Sequence, residues 1–411
     1  MSQSEKLKKE IERSRAHLVG AAHKPVRVLM VAPSLDILGG QAVQAVRLFE
    51  HLREEPSLEV GFLPINPRLP GPLRWLQKIK YVRTIVTLIY YCAMLLARVH
   101  SYDVIHIFSA SYFSFVLAPT PAILVAKLYG KKTVLNYRSG EAEDHLRRWR
   151  RTATGTIRLV DEIAVPSGYL VDVFGRFGFR ARSIFNIVAL DRFRFRERKP
   201  LAPVFLSNRN FEPHYNVACV LRAFALVQKR FPEASLKVAG DGSQRAKLEE
   251  LARRLHLQHT EFIGRVAPGK MPELYDAVDI YLNSPDIDNM PGSIIEAFAA
   301  GVPVVTTEAG GIPYIVTDGE TGLLVRRGDY EAMAECAIRL LEDAALASKI
   351  AHAAHEECRK YNWTAVRDEW LNLYHDLARE KVERREPRSN KQVGNATEQK
   401  PEDSGQKVVL S

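Results

Sequence analysis

Two carboxylates eight positions apart, Asp288 and Glu296, bracket a Pro291-Gly292-Ser293 turn. A carboxylate accepts hydrogen bonds and cannot donate them, so such a pair suits a ligand rich in hydroxyls, as ribose and hexoses are. The residues just before, Val278 to Leu282, read as a buried strand. After the turn the pattern becomes helical, with Ser293 as the expected N-cap and Gly301 as the expected stop. The first amides of such a helix, from Gly292 through Ser293 to Ile294, have no internal partner and form a ready site for a diphosphate. Diphosphate and polyol together describe a sugar nucleotide.

Other residues invite different chemistry and fit it less well. Asp286-Ile287-Asp288 could hold a divalent metal beside a diphosphate. It lies late in the chain, after a complete α/β domain, and no metal is expected there. Gly264 to Lys270 nearly spells a phosphate-binding P-loop, but Met271 stands where a Ser or Thr would reach Mg²⁺. His256/His259 and His352/His355 have helical spacing without a third ligand. No nucleophile elbow is present.

The elements that must position these residues alternate strand and helix throughout. Val26 to Ala32 is a near-continuous apolar strand of the kind found in parallel sheets. It runs to Gly39-Gly40, where a backbone without Cβ atoms can approach a phosphate or sugar, and then to a helix from about Gln41 to Arg53. Strands follow at Asp103–Phe108, at Lys132–Asn136 (leading to Arg138) and at Glu162–Val165. After Phe193 a charged, Pro-containing stretch, 194–202, reads as a linker. The alternation then restarts at Val204–Ser207, with a loop carrying Arg209. The expectation is an α/β chain of two doubly wound domains with ligands at the carboxyl ends of their strands, in the cleft between them. The expected division is a basic arm at 1–24, a first domain at 25–193, the linker, and a second domain at 203–360. A helix at 361–383 packs back on the first domain, and a disordered polar tail follows at 384–411.

Composition narrows the partners. The chain has 411 residues, 46 % apolar, with a net charge of +10 and a pI near 9.3. Nucleic acid, an anionic membrane or an acidic substrate each fits that charge. The arginines follow no nucleic-acid-binding pattern, so nucleic acid is not expected. Cys92, Cys219, Cys336 and Cys358 are scattered and read as reduced thiols, and the N-terminus has no apolar signal; both suggest a cytoplasmic protein. Between Thr84 and Ala97 lies an uncharged apolar run preceded by Lys78, Lys80 and Arg83. It is shorter than the roughly 20 residues that span a bilayer. A buried core helix is the expectation. The alternative lies on the inner face of an anionic membrane, with Trp75, Tyr81, Tyr90 and Tyr91 near the interface.

With these motifs assembled, the chain resembles the retaining GT-B glycosyltransferases of family 4, the glycosyl transferases group 1. The resemblance rests on Gly39-Gly40, Asn186 with Asp191 and Phe193, Arg209, Gly240-x-Gly242, Phe262-Ile263-Gly264, the Asp288/Glu296 pair, Gly310-Gly311-Ile312-Pro313 and Asp318-Gly319-x-x-Gly322. It implies metal-independent transfer of a hexosyl-type sugar from a nucleoside-diphosphate sugar, without a cofactor, to a glycan, a lipid-linked or a small-molecule acceptor. By the same resemblance Glu296 clamps the ribose, Asp288 holds donor-sugar hydroxyls, Arg209 meets the diphosphate, and Ile263-Gly264-Arg265 sits beside the base. The family's usual Glu is Asp288 here, its usual His is Arg138, and His214 and Tyr215 stand where a basic partner of Arg209 is common. The alternative these departures raise is a GT-B scaffold that binds a nucleotide or glycan without transfer.

Overall fold

The structure is a computed structural model that describes residues 24–34, 40–109 and 111–383. The expected basic arm, the tail beyond 383 and Gly39 lie outside the described residues.

Two six-stranded parallel sheets organise the chain. The first has the order β2-β1-β3-β4-β5-β6, with β1 Val26–Ala32, β2 Leu58–Pro64, β3 Val104–Phe108, β4 Lys132–Asn136, β5 Glu162–Val165 and β6 Arg182–Ser183. The second runs β12-β11-β10-β7-β8-β9, from β7 Val204–Asn208, β8 Ser235–Ala239, β9 Thr260–Gly264, β10 Ile280–Asn283 and β11 Val304–Thr307 to β12 Leu323–Val325. Both are doubly wound. β3, β4 and β10 are buried at every position, so they show no alternation of apolar and exposed residues, and the polar side chains they carry, His106 and Asn136 among them, are buried too. In the second sheet the strand order reverses between β7 and β10, and in the first between β1 and β3. Crevices open outside the carboxyl ends of strands at such reversals.

Four helices matter for the site: α1 Gly40–Arg53, α2 Val82–Arg98, α3 Gly292–Ala299 and α4 Trp363–Glu383. α3 does not begin as the sequence suggested. Pro291, not Ser293, occupies the N-cap position; its ring has no atom that could cap the helix by a hydrogen bond, and its φ of −68° sets the entry to the helix. Ser293 is therefore inside the first turn. The stop is Gly301, at φ +69°, with the Val302 amide donating back to the Ala297 carbonyl at 2.9 Å. α4 returns to the first sheet, where Val366, Trp370, Tyr374 and Leu377 join the core formed by Val28, Met30 and Val134. The segment before β7 is held firmly: the buried Arg198 guanidinium donates to the carbonyls of Val278, Ala300 and Tyr275 and pairs with Asp279.

The expectation of a buried core helix at 84–97 is not met. Only Tyr91 and Leu95 of α2 are buried, and the Tyr91 hydroxyl donates to the Ala118 carbonyl at 2.9 Å. Apolar residues occupy every face of the helix, while the sheet covers one. Tyr81, Ile85 and Ile89 are left 75 %, 60 % and 64 % exposed. With its extension to Ser101 the helix is long and apolar enough to cross a membrane by length and composition.

Candidate functional site

A cleft of about 490 Å³ lies between the two sheets' carboxyl ends. Arg209 follows β7 and Asp288 follows β10, so the strand-order reversal delivers both to its wall. Arg209 Nη2 donates to Asp288 Oδ2 at 2.5 Å, its Nη1 lies 3.3 Å from Ser293 Oγ, and its guanidinium carbon sits 4.0 Å above the Tyr215 ring. Burial pulls this arginine towards neutrality, and the Asp288 charge together with the tyrosines Tyr215, Tyr281 and Tyr275 more than offsets that pull, so Arg209 stays protonated. The loop that carries it is stitched to the Asp288 loop: Asn216 donates to Asp286 Oδ1 at 3.1 Å and Ser284 donates to the Asn216 carbonyl at 2.7 Å. Asp286 and Asp288 thus face different protein partners.

Glu296 lines the same cleft one turn into α3. Burial raises its carboxyl to about 7, against the opposing attraction of Arg47 on α1. Arg47 Nη2 lies 3.7 Å from Glu296 Oε1, and its Nη1 donates to the Ile187 carbonyl at 3.2 Å. Sequence reasoning missed Arg47. Its only signal was a charge on a helix face otherwise built from Gln44, Ala45 and Leu48, all buried.

The first domain adds Gly40 and Arg138 to the wall. No Cβ contact lies within 4 Å at Gly40, so the backbone there is open to a ligand. Burial lowers the Arg138 guanidinium to about 9. Its Nη2 is buried and has no hydrogen-bond partner among the described residues.

Three other expectations fare differently. Gly292 and Ser293 line the cleft, but Ile294 does not: its side chain is fully buried in the core and its amide donates to the Pro291 carbonyl at 3.2 Å. Ile263, Gly264 and Arg265 stand just outside. Ile263 packs against the core, the Gly264 carbonyl accepts from the Gly240 amide at 2.8 Å, and Arg265 lies 3.8 Å from Asp241. Val266 and Pro268, further along that loop, are the ones at the cleft.

The two domains also touch directly beside Asp288. Ser167 donates to Asn289 Oδ1, Asn289 Nδ2 reaches the Arg138 carbonyl at 3.4 Å, and Asn186 Nδ2 donates to the Met290 carbonyl at 3.0 Å. Asn289 was another omission, since an Asn in a polar loop carries no mark of bridging two domains.

Comparison with known proteins gives a consistent picture. Residues 191–357 match the family model described as Glycosyl transferases group 1. The phosphatidyl-myo-inositol mannosyltransferase of Mycobacterium leprae is 27 % identical over 237 residues, 57 % of this chain and 58 % of that protein. The chain thus matches little more than half the length of this curated relative. Among solved structures, sucrose-phosphate synthase from Thermosynechococcus elongatus superposes with a TM-score of 0.70 at 19 % identity, covering 86 % of this chain and 99 % of that one. Anabaena HepE in complex with UDP-glucose gives 0.68 at 17 % identity, covering 85 % and 99 %. At such identities the likeness is one of fold, the GT-B arrangement of two Rossmann-like domains.

Proposed function

We propose that this chain, whose residues 191–357 match the glycosyl transferases group 1, moves a sugar from a nucleoside-diphosphate sugar to an acceptor hydroxyl, without a metal and with retention at the anomeric carbon. The observation that carries this reading is Arg209, held between Asp288 and Ser293 Oγ at the strand-order reversal and facing a second cation, Arg138, across one cleft. Breaking the anomeric bond leaves an oxocarbenium-like centre and a diphosphate of growing negative charge. Arg209, Arg138 and the amides of Gly292 and Ser293 stabilise that leaving group, each well-aimed donor contributing on the order of 3 kcal/mol. Asp288 exchanges its hold on Arg209 for the hydroxyls of the donor sugar. Glu296, steadied by Arg47, takes the ribose hydroxyls. The departing phosphate removes the acceptor's proton, so neither carboxylate is needed as a glycosidase-type acid or base. The arginine pair and both carboxylates reach the cleft, which disfavours a scaffold that binds without transfer.

Thermal melting against UDP-, GDP-, ADP- and TDP-sugars, followed by product analysis with the stabilising donor, tests this. A Tm rise with one donor, lost in Arg209→Ala, is expected. No shift with any of them, and no transfer, would sink the reading.

The acceptor is a glycan, a lipid-linked sugar or a small molecule, and the surface of the first domain favours one presented at a membrane. Residues 60–140 hold ten lysines and arginines and a single acid, Asp103. Within this stretch Trp75, Leu124 and Leu128 are exposed as well as the bare face of α2. A basic, apolar surface of this kind binds the headgroup boundary of an anionic leaflet. This surface supports the reading of a peripheral protein on the cytoplasmic face of a membrane. The mycobacterial relative is itself named for a lipid, phosphatidyl-myo-inositol. Sedimentation with vesicles containing anionic lipid should carry the protein down at low salt, and the double substitution Ile85→Ser, Ile89→Ser should leave it in the supernatant. Equal recovery of both proteins from the supernatant would count against a membrane face.

A further inference from the structure

A line of polar side chains runs from the cleft, through the first sheet, to the terminal helix α4. Arg138 Nη1 donates to Asn136 Oδ1 at 3.3 Å. Asn136 Nδ2 lies 3.0 Å from His106 Nε2, and His106 Nδ1 lies 2.7 Å from the Tyr374 hydroxyl. Asn136, His106 and Tyr374 are at most 1 % exposed, and the imidazole stacks between Phe108 and Trp370 with centroids 5.1 and 5.0 Å away.

The polarity of this line is set at its cleft end. A guanidinium can only donate, so Asn136 turns its oxygen to Arg138 and its amino group to His106. His106 Nε2 must then offer a lone pair. The ring proton sits on Nδ1 and is donated to the Tyr374 oxygen. A charged imidazole would present N–H groups at both ends and force the Asn136 amino group against Arg138. Asn136, Tyr374, the Phe108 and Trp370 rings and the Arg138 charge are what face His106, with no carboxylate among them. Burial, reinforced by the Arg138 charge, lowers His106 to about 3, so the neutral ring persists.

What the line holds in place is a buried cation with an unused donor, Nη2, beside the cleft. A buried charge without a counterion is costly, and a ligand anion removes that cost. We propose that Tyr374, His106 and Asn136 are positioning residues that aim Arg138 at a phosphate group of the donor, which makes α4 part of the donor site. This rests on the donor-site reading above.

Calorimetric titration of the full chain with inorganic pyrophosphate tests it, using Arg209→Ala, Arg138→Ala, Tyr374→Phe and the Arg138→Ala, Tyr374→Phe double variant. Tyr374→Phe should raise Kd about three- to tenfold, the range for one hydrogen bond. In the Arg138→Ala background it should change nothing, a dependence that general loosening of the fold would not produce. An equal effect in both backgrounds, or none in either, overturns the relay and leaves the donor site standing if Arg209→Ala still weakens binding. Binding untouched by Arg209→Ala, or absent from the unsubstituted protein, overturns the donor site itself. Should Tyr374→Phe fail to fold, Asn136→Asp serves. Its carboxylate neutralises Arg138, so pyrophosphate binding should fall more than about tenfold. It also offers His106 an acceptor, so the ring ¹⁵N signals should switch from the Nδ1–H to the Nε2–H pattern. An unswitched pattern overturns the relay.

Discussion

Glu296, the carboxylate proposed to take the ribose hydroxyls, also carries the cost of burial. Its carboxyl, raised to about 7 by burial, holds its proton more tightly in the folded chain than in the unfolded one. Stability from that difference is complete below pH ~4.5 and declines as the pH climbs to about 7, a loss on the order of 3 kcal/mol. Glu296→Gln keeps the shape without the ionisation. It should raise Tm at pH 8 while abolishing transfer, and a variant that melts lower than the parent at pH 8 would contradict this account. His106 and His145 act in the opposite direction. Burial lowers them to about 3 and about 4, so the unfolded chain binds protons that the folded chain refuses. Each removes about 1.4 kcal/mol per pH unit as the pH falls below ~6.5. Two histidines outweigh one carboxyl, and urea unfolding between pH 6.5 and 4.5 should show stability falling on acidification. In Glu296→Gln the fall should be steeper, because the opposing slope has gone.

Among the elements, α3 depends on the glycine that follows its C-cap. Gly301 has a left-handed backbone, and a Cβ there would stand 2.8 Å from the Phe195 ring and 3.0 Å from the Arg196 carbonyl. Gly301→Ala should lower stability by about 1–3 kcal/mol and be visible as a lower urea midpoint. This stop was legible in the sequence, since an apolar helical run ending in Ala-Ala-Gly leaves few other choices. The start was not. Pro291 and Ser293 both fit the opening of a helix, and only the loop's approach from β10 decides between them. The sheets were legible for a related reason: parallel strands covered on both faces read as continuous apolar runs. α2 misled because a run apolar on all sides says that something apolar surrounds it without saying what. Arg138 could be read as a basic residue after a strand, where the resembled family usually has a His, but not as one oriented from behind. The neighbours that orient it, His106 and Tyr374, are 32 and 236 positions away in the chain.

At the scale of the whole molecule, Asp288, the carboxylate proposed to meet the donor sugar, sits in a loop whose next two residues are bonded to the other domain. Ser167 and Asn186 hold Asn289 and Met290, so Asp288 reaches its position only when the domains are together. Ser167→Ala should therefore lower kcat/KM for the donor by about tenfold, the effect of misplacing a reacting group. Arg209 would keep its grip on pyrophosphate. Small-angle scattering should report a larger radius of gyration for this variant, and an unchanged envelope with unchanged kinetics would refute the coupling.

The first sheet is closed on one face by Val366, Trp370, Tyr374 and Leu377, residues made some 180 positions after β6. A ribosome therefore releases an N-terminal half whose hydrophobic flank stays open until α4 has been made as well. That half should not accumulate as a soluble fragment when expressed alone, and it should do so when residues 363–380 are supplied as a separate peptide.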